Sequence, residues 1–266
     1  LGDVCMSAFS KEYEIYYFQI NQQGEASPVT ILDFLEDVAI AHSKAVGMGI
    51  DYLTSLRTCW VLNRWELEME SYPSLGEKIK VDTYAIDFQR FYGKRNFIIW
   101  DSQGKIIGKA RSLWIYLNID KRRPVRIPHH FASQYGVAEL LEENKELLDQ
   151  TFLGKDSFED LPELTVTDSE LLFHVRRSDI DTNGHVNNTR YVEWMLEGIG
   201  EDILKEYKLR KLEVVYKKET KYGTDIISQT QSIKGLEPEY LHRIQDQQGQ
   251  DLAIGRTIWS KPEMLA

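Results

Sequence analysis

The stretch Ala110-Arg111-Ser112-Leu113-Trp114 returns later in the chain as Gly255-Arg256-Thr257-Ile258-Trp259. The turn Asp101-Ser102-Gln103-Gly104 returns at the same offset as Asp246-Gln247-Gln248-Gly249. A third match keeps the same order: Gly76 with Ile79, and Gly223 with Ile226. Each match is weak alone, but three in one order at nearly one offset indicate two copies of a single domain.

The two copies share an order of predicted elements, which is a short strand, a helix and then a run of strands. Apolar residues at helical spacing predict a helix from Leu32 to Val46 in the first copy and from Val192 to Ile203 in the second. Asn187 or Asn188 is placed to cap the second helix. Alternating patterns predict strands at 13–20, 60–70, 78–85, 96–100 and 109–117, and again at 171–175, 212–219, 225–232, 240–246 and 251–259.

One helix ahead of a set of antiparallel strands describes an α+β unit in which the sheet wraps its helix. That is the outline of a hotdog domain, so the sequence predicts a tandem (double) hotdog fold. We expect an N-terminal copy at residues 1–128, a partly helical connector at 129–167 and a C-terminal copy at 168–266.

The composition is that of a globular protein, with 42% hydrophobic and 28% charged residues. Its formal net charge of −10 argues against general nucleic-acid binding, which needs a basic surface. No apolar run approaches the ~20 residues that a membrane span requires. The two cysteines, Cys5 and Cys59, cannot build a disulfide framework, so we expect a reducing, cytoplasmic setting.

The loop before the second predicted helix concentrates polar side chains. It includes Asp181, Asn183 and His185 at alternating positions, followed by Asn187 and Asn188. Histidine transfers protons near neutral pH, and a helix N-terminus stabilises developing negative charge. The corresponding loop of the first copy, residues 23–30, has no histidine and no Asp-x-Asn, which predicts one site per chain.

The run Asp181-Thr182-Asn183-Gly184-His185-Val186-Asn187-Asn188 resembles the Asp-x-Asn-x-His-Val-Asn-Asn signature of the acyl-ACP thioesterases, the plant-type hydrolases of fatty acyl carrier protein (ACP) and their bacterial relatives. Val215-Tyr216-Lys217-Lys218-Glu219-Thr220 resembles that family's Tyr-Arg-Arg-Glu-Cys strand. In the first half, the resemblance extends to Arg64, Tyr72-Pro73, Gly76, Val81-Asp82-Thr83, Ser112-Leu113-Trp114 and the ending Arg122-Arg123-x-x-Arg126-Ile127-Pro128.

This resemblance implies hydrolysis of fatty acyl-ACP to free fatty acid and carrier thiol. Glu219 would activate water, His185 and Asn183 would position that water or the thioester carbonyl, and Asp181 would orient its neighbours. Thr220 stands where many plant relatives have cysteine, so a cysteine nucleophile cannot operate there. We therefore expect direct attack by water, with no metal and no cofactor.

The acidic carrier needs a basic surface, for which Lys217, Lys218 and Lys221 are candidates because they bracket Glu219. Three apolar residues are candidates for an acyl tunnel: Trp60, Met48 and Met69. Two rival functions remain open, a hotdog hydrolase for acyl-CoA and a non-catalytic acyl-binding module. Acyl chain length and assembly as a homodimer are not decided by the sequence.

Overall fold

The computed structural model describes residues 8–152, 157–181 and 183–262, and these form two compact units. The first unit contains the described residues up to Asn63 together with those of Pro73–Glu159. The second contains Arg64–Tyr72 and the described residues from Asp160 onward. Strand β2, Thr58–Met69, therefore contributes its first part to one unit and its last part to the other.

The first unit is an antiparallel sheet packed against one long helix. Its elements are β1 (Phe9–Glu14), a 3₁₀ turn (Tyr17–Gln19), α1 (Pro28–Ala45), α2 (Ile50–Ser55), the start of β2, β3 (Lys78–Gln89), β4 (Tyr92–Trp100), β5 (Ile106–Asn118), β6 (Arg123–Pro124), α3 (His130–Gln134), α4 (Val137–Glu143) and α5 (Lys145–Phe152). Neighbouring strands follow the order β1-β3-β4-β5-β2, and β6 pairs with β5. Helix α1 packs on β3 and β1.

The second unit repeats this plan. Its elements are the last part of β2, β7 (Ser169–His174), a 3₁₀ turn (Arg177–Asp179), α6 (Asn188–Leu196), α7 (Glu201–Glu206), β8 (Lys208–Tyr216), β9 (Asp225–Ile233), β10 (Glu239–Asp246) and β11 (Asp251–Ser260). The strand order β7-β9-β10-β11-β8 matches β1-β3-β4-β5-β2 member for member. The prediction of an α+β tandem hotdog fold is confirmed.

Helix α1 forms where the sequence supplies both a start signal and an apolar face. The Ser27 hydroxyl accepts a hydrogen bond from the Thr30 amide at 3.1 Å, and Pro28 occupies the first helical position. Leu32, Leu35 and Val38, at helical spacing, are fully buried. No helix in the described part of the chain is long and apolar enough to cross a membrane.

The first predicted strand, 13–20, is wrong in its bounds, because β1 ends at Glu14. Its partner strand β3 begins at Lys78, which pairs with Glu14, so later residues have no ladder to join. The chain instead makes the 3₁₀ turn, which leaves Tyr17 80% and Phe18 83% exposed. Residues 15–20 include good strand formers, but the partner strand β3 does not extend far enough to pair with them.

The single helix predicted from Val192 to Ile203 is also wrong, because α6 ends at Leu196 and α7 begins at Glu201. Gly198 lies in the break and approaches β9 closely, since a Cβ atom there would sit 2.2 Å from the Thr230 hydroxyl oxygen. The apolar spacing continues across the break, so periodicity alone does not reveal it.

Candidate active site

The loop before α6 is organised by the carboxylate of Asp181. One carboxylate oxygen, Oδ1, accepts hydrogen bonds from the amides of Asn183 at 2.8 Å and His185 at 3.2 Å. The amide of Asp181 in turn donates to the His185 carbonyl at 2.8 Å. Gly184 has a φ of +79°, the left-handed conformation that favours glycine. Asp181 therefore shapes the turn that presents Asn183 and His185.

The first unit contains the same turn without the same side chains. Asn21 Oδ1 accepts from the amides of Gln23 at 2.9 Å and Glu25 at 3.2 Å, and Gly24 has a φ of +78°. Glu25 thus occupies the position of His185. The backbone of the loop is common to both copies, so the chemistry of the second copy depends on its side chains.

His185 and Glu219 come together at this loop. His185 Nε2 lies 3.3 Å from Glu219 Oε2, with side chains 17% and 39% exposed respectively. The amide of Val186 donates to the carbonyl of Thr220 at 3.0 Å, so the residues next to each member of the pair are joined through the backbone. The structure therefore brings together Asp181, Asn183, His185 and Glu219, the four residues singled out from the sequence.

Glu219 lies outside a strand, and the prediction of a strand through 212–219 is wrong at its end. Strand β8 stops at Tyr216. The amides of Lys217 and Lys218 both donate to the Leu252 carbonyl, at 2.8 and 3.1 Å, so two residues share one partner. This bulge-like irregularity breaks the alternation of the strand and gives Glu219 an orientation that strict alternation would not.

A buried acid at the base of the loop was not found by the sequence reasoning. Asp179 is 1% exposed and accepts hydrogen bonds from the Arg176 amide at 2.7 Å and guanidinium at 2.8 Å. Burial raises the pKa of Asp179, but these hydrogen bonds prevail and hold its pKa below the ordinary value. The Asp179 carbonyl accepts from the Asn187 amide at 2.8 Å. The sequence signal for this interaction is the presence of an arginine and an aspartate three residues apart.

The cap of α6 was predicted at Asn187 or Asn188, and Asn187 is the capping residue. Its side-chain oxygen accepts hydrogen bonds from the amide and the hydroxyl of Thr189, both at 2.9 Å. The N-terminus of α6 therefore opens directly from the loop that carries His185. A partial positive charge at this terminus favours negative charge nearby.

The three residues suggested for an acyl tunnel fall in different units. Met48 is buried in a cluster of the first unit that includes Phe131, and Trp60 packs against the same cluster. Met69 is buried at the end of β2, within the second unit. Met48 and Trp60 are thus brought together, and Met69 belongs to another core.

The three lysines suggested for carrier docking are exposed, as is Glu219 between them. Lys217 forms an ion pair with Asp251 at 3.0 Å, and Lys218 lies 3.6 Å from Asp246. Part of their charge is therefore balanced within the protein.

Within the described ranges, no group of three or more His, Cys, Asp or Glu side chains is arranged to hold a metal ion. Cys59, on β2, forms no disulfide, and Cys5 lies outside the described residues. Thr220, the residue after Glu219, is 7% exposed.

A double hotdog with a histidine–glutamate pair beside the N-terminus of a central helix defines a class of protein, the double-hotdog thioester hydrolases. The family models for the acyl-ACP thioesterase N-terminal and C-terminal domains match residues 6–135 and 163–261. The chain belongs to the acyl-ACP thioesterase family.

Two chloroplastic relatives from Arabidopsis thaliana illustrate the similarity. A palmitoyl-acyl carrier protein thioesterase is 27% identical over 279 residues, covering 95% of this chain and 64% of the relative. An oleoyl-acyl carrier protein thioesterase is 24% identical over 279 residues, covering 96% and 76%. The chain thus spans between about two thirds and three quarters of the length of these two relatives.

Two solved structures share the fold. An acyl-ACP thioesterase from Bacteroides thetaiotaomicron superposes with a TM-score of 0.78 at 22% identity, covering 96% of this chain and 98% of that one. A 12:0-ACP thioesterase from Umbellularia californica gives a TM-score of 0.81 at 21% identity, covering 97% and 95%.

Proposed function

We propose that this protein hydrolyses fatty acyl-ACP thioesters to free fatty acid and carrier thiol, which ends chain elongation. Membership of the family supports the reaction, and the names of the relatives support the acyl-ACP substrate. The observation that carries the proposal is the 3.3 Å approach of His185 Nε2 to Glu219 Oε2. A base and a proton carrier at hydrogen-bond range are what a hydrolase needs and a passive acyl-binding module does not.

In this proposal Glu219 takes a proton from a water molecule, whose oxygen attacks the thioester carbonyl carbon. The carbonyl oxygen gains negative charge beside the N-terminus of α6. His185 and Asn183 hold the water or the carbonyl, and Asp181 fixes both by shaping their turn. Collapse of the tetrahedral intermediate breaks the C–S bond, and the thiolate takes up the proton through the same pair.

The reaction needs neither a cysteine nucleophile nor a metal in this scheme. Thr220 offers no thiol at the position next to the base. We expect turnover to survive extensive treatment with EDTA. Loss with EDTA and recovery on adding a metal ion would contradict the metal-free scheme.

The test of the base is Glu219→Gln, which keeps the side-chain volume but removes proton acceptance. We expect turnover on acyl-ACP to fall by about 10² or more, with unchanged circular dichroism. Glu206→Gln, at an exposed residue at the end of α7, is the matched control and should retain full activity. A Glu219→Gln enzyme with most of its turnover would refute the assignment. Hydrolysis of acyl-CoA by the same enzymes would measure the rival substrate.

We also propose that Lys217, Lys218 and Lys221 contribute to docking of the acidic carrier. Replacing Lys218 and Lys221 with Glu should slow the acyl-ACP reaction most at low salt, where repulsion reaches further. A small neutral thioester should be hydrolysed at nearly the original rate. Equal losses on both substrates would show damage to the site, and no loss on acyl-ACP would move docking elsewhere, with Lys121 to Arg126 tested next.

The remaining expectations from the sequence enter the same proposal. The copy at 168–266 would carry the chemistry, the copy at 1–128 would help to hold the acyl chain with Met48 and Trp60, and 129–167 would connect them. Met69, the third candidate, is buried in the second unit. The low cysteine content favours a reducing compartment such as the cytoplasm.

A further inference from the structure

Tyr191 lies on α6, and its ring is fixed by packing. The residue is 3% exposed. Its ring meets Trp194 edge-on with centroids 5.5 Å apart, and Tyr216 at 5.8 Å. Tyr216 ends β8 and donates its hydroxyl to the Asn188 carbonyl at 3.1 Å. Tyr191 thus packs against Trp194 of its own helix and against Tyr216, which ends the strand that leads into Glu219.

The hydroxyl of Tyr191 is buried, and its proton has no acceptor among residues 8–152, 157–181 and 183–262, although the backbone amide of Thr220 approaches its oxygen. A buried donor without an acceptor is costly and is usually avoided in folded proteins. The neighbouring phenol of Tyr216 shows the ordinary arrangement, since it uses a backbone carbonyl. The unsatisfied hydroxyl of Tyr191 therefore calls for an explanation, and its surroundings offer one.

Those surroundings are anionic. Burial raises the pKa of Tyr191, the backbone amide of Thr220 opposes this rise, and the carboxylates of Glu219 and Asp181 add to it. The phenol therefore stays protonated throughout the working pH range and is available as a donor. Both carboxylates lie close enough to act on the phenol, and Asp181 already accepts the amides of Asn183 and His185, which leaves Glu219 as the acceptor we assign.

We propose that Tyr191 is a positioning residue for Glu219, donating a hydrogen bond to one carboxylate oxygen when substrate occupies the site. The other oxygen is then left facing the water that it deprotonates. The role rests on the proposed function, since it assumes that Glu219 is the base. A hydrogen-bond donor on a carboxylate stabilises its ionised form, which is the form that accepts a proton.

The other charged groups around Glu219 come from three segments. His185 contacts it from the loop, and Asp181 of the same loop acts with it on Tyr191. Lys218 and Lys221 flank it in its own segment. On α6, Arg190 is engaged by Glu193 in an ion pair. Tyr191→Phe substitutes none of these charged residues. A shift in the pH dependence of turnover in that variant can therefore be ascribed to the lost hydroxyl.

The test is Tyr191→Phe, which keeps the ring and its packing. We expect kcat on acyl-ACP to fall by about tenfold with little change in KM, because the defect lies in the base and not in substrate binding. The acid limb of the pH–rate profile should move up by about half a pH unit or more. The control Tyr216→Phe removes a hydroxyl from the same ring cluster and should leave the acid limb in place.

A double variant separates this inference from the proposed function. If both residues act together, adding Tyr191→Phe to Glu219→Gln should cause little further loss. An active Glu219→Gln enzyme would overturn the base itself. An inactive Glu219→Gln enzyme together with an unmoved acid limb in Tyr191→Phe would overturn only the role of Tyr191. A Tyr191→Phe enzyme that loses thermal stability but keeps its kcat and its acid limb would likewise assign the hydroxyl a purely structural role.

Discussion

Asp181 and Asn21 accept equivalent hydrogen bonds in the turns of the two copies. This permits a prediction that separates the role of Asp181 in the backbone conformation of the turn from the role of its negative charge. Asp181→Ala removes the acceptor of two backbone hydrogen bonds, from Asn183 and His185. At about 1 kcal/mol each, the free energy of unfolding should fall by about 2 kcal/mol. For a chain of this length the melting temperature should then fall by roughly 4–8 °C.

Asp181→Asn should behave differently, because Asn21 already performs the same task with an amide oxygen. We expect a loss of at most about 0.5 kcal/mol in unfolding free energy. The activity of Asp181→Asn should exceed that of Asp181→Ala, since His185 and Asn183 keep their places and only the negative charge is lost. Scanning calorimetry and acyl-ACP hydrolysis measure the two quantities.

Asn21→Ala is the matched control, since it removes the same pair of bonds from the turn of the first unit. It should lower the melting temperature about as much as Asp181→Ala while leaving kcat of the folded enzyme unchanged. An Asp181→Asn protein as unstable as Asp181→Ala would refute the equivalence of the turns. So would an Asn21→Ala protein with an unaltered melting temperature.

Three further outcomes are expected. His185→Ala and Asn183→Ala should each lower kcat more than they raise KM, and effects confined to KM would instead assign them to substrate binding. Gly198→Ala should lower the free energy of unfolding by about 1–3 kcal/mol, because its Cβ would sit 2.2 Å from a hydroxyl oxygen on β9. The control Gly235→Ala meets nothing closer than 3.6 Å and should be nearly neutral, so equal melting temperatures for the two variants would contradict the close approach. Burial lowers the pKa of His242 to about 3, so only the unfolded chain takes up a proton there as the pH falls below about 6.5. The free energy of unfolding then declines by up to about 1.4 kcal/mol per pH unit. In denaturant titrations at pH 7 and pH 5, His242→Gln should lose less unfolding free energy than the native protein, and identical losses would refute this.

Local patterns in the sequence were sufficient for the repeat, the order of elements and the loop that bears the site. The spacing of Leu32, Leu35 and Val38 is a property of one helix, and the polar run from Asp181 to Asn188 is a property of one loop. Such features depend on neighbours in the chain, which the sequence displays directly.

What the sequence did not reveal depends on contacts across the fold. The end of β1 follows from where β3 begins, and the break after α6 follows from the closeness of Gly198 to β9. The orientation of the Glu219 side chain follows from the irregular end of β8, where the amides of Lys217 and Lys218 share the Leu252 carbonyl. The buried hydroxyl of Tyr191 carries no sequence signal, because a tyrosine on the apolar side of a helix is ordinarily part of the core.

The bond from the Val186 amide to the Thr220 carbonyl holds the histidine and the glutamate at their separation without using any side chain. The first unit makes the equivalent bond from Ala26 to the carbonyl of Pro73 at 2.8 Å, so even proline is accepted at that position. Cysteine is close to threonine in size, so an engineer could install it at position 220 while keeping this backbone bond. A nucleophilic thiol could thus be added to or removed from this scaffold by one substitution, which makes water attack and covalent attack directly comparable in a single protein.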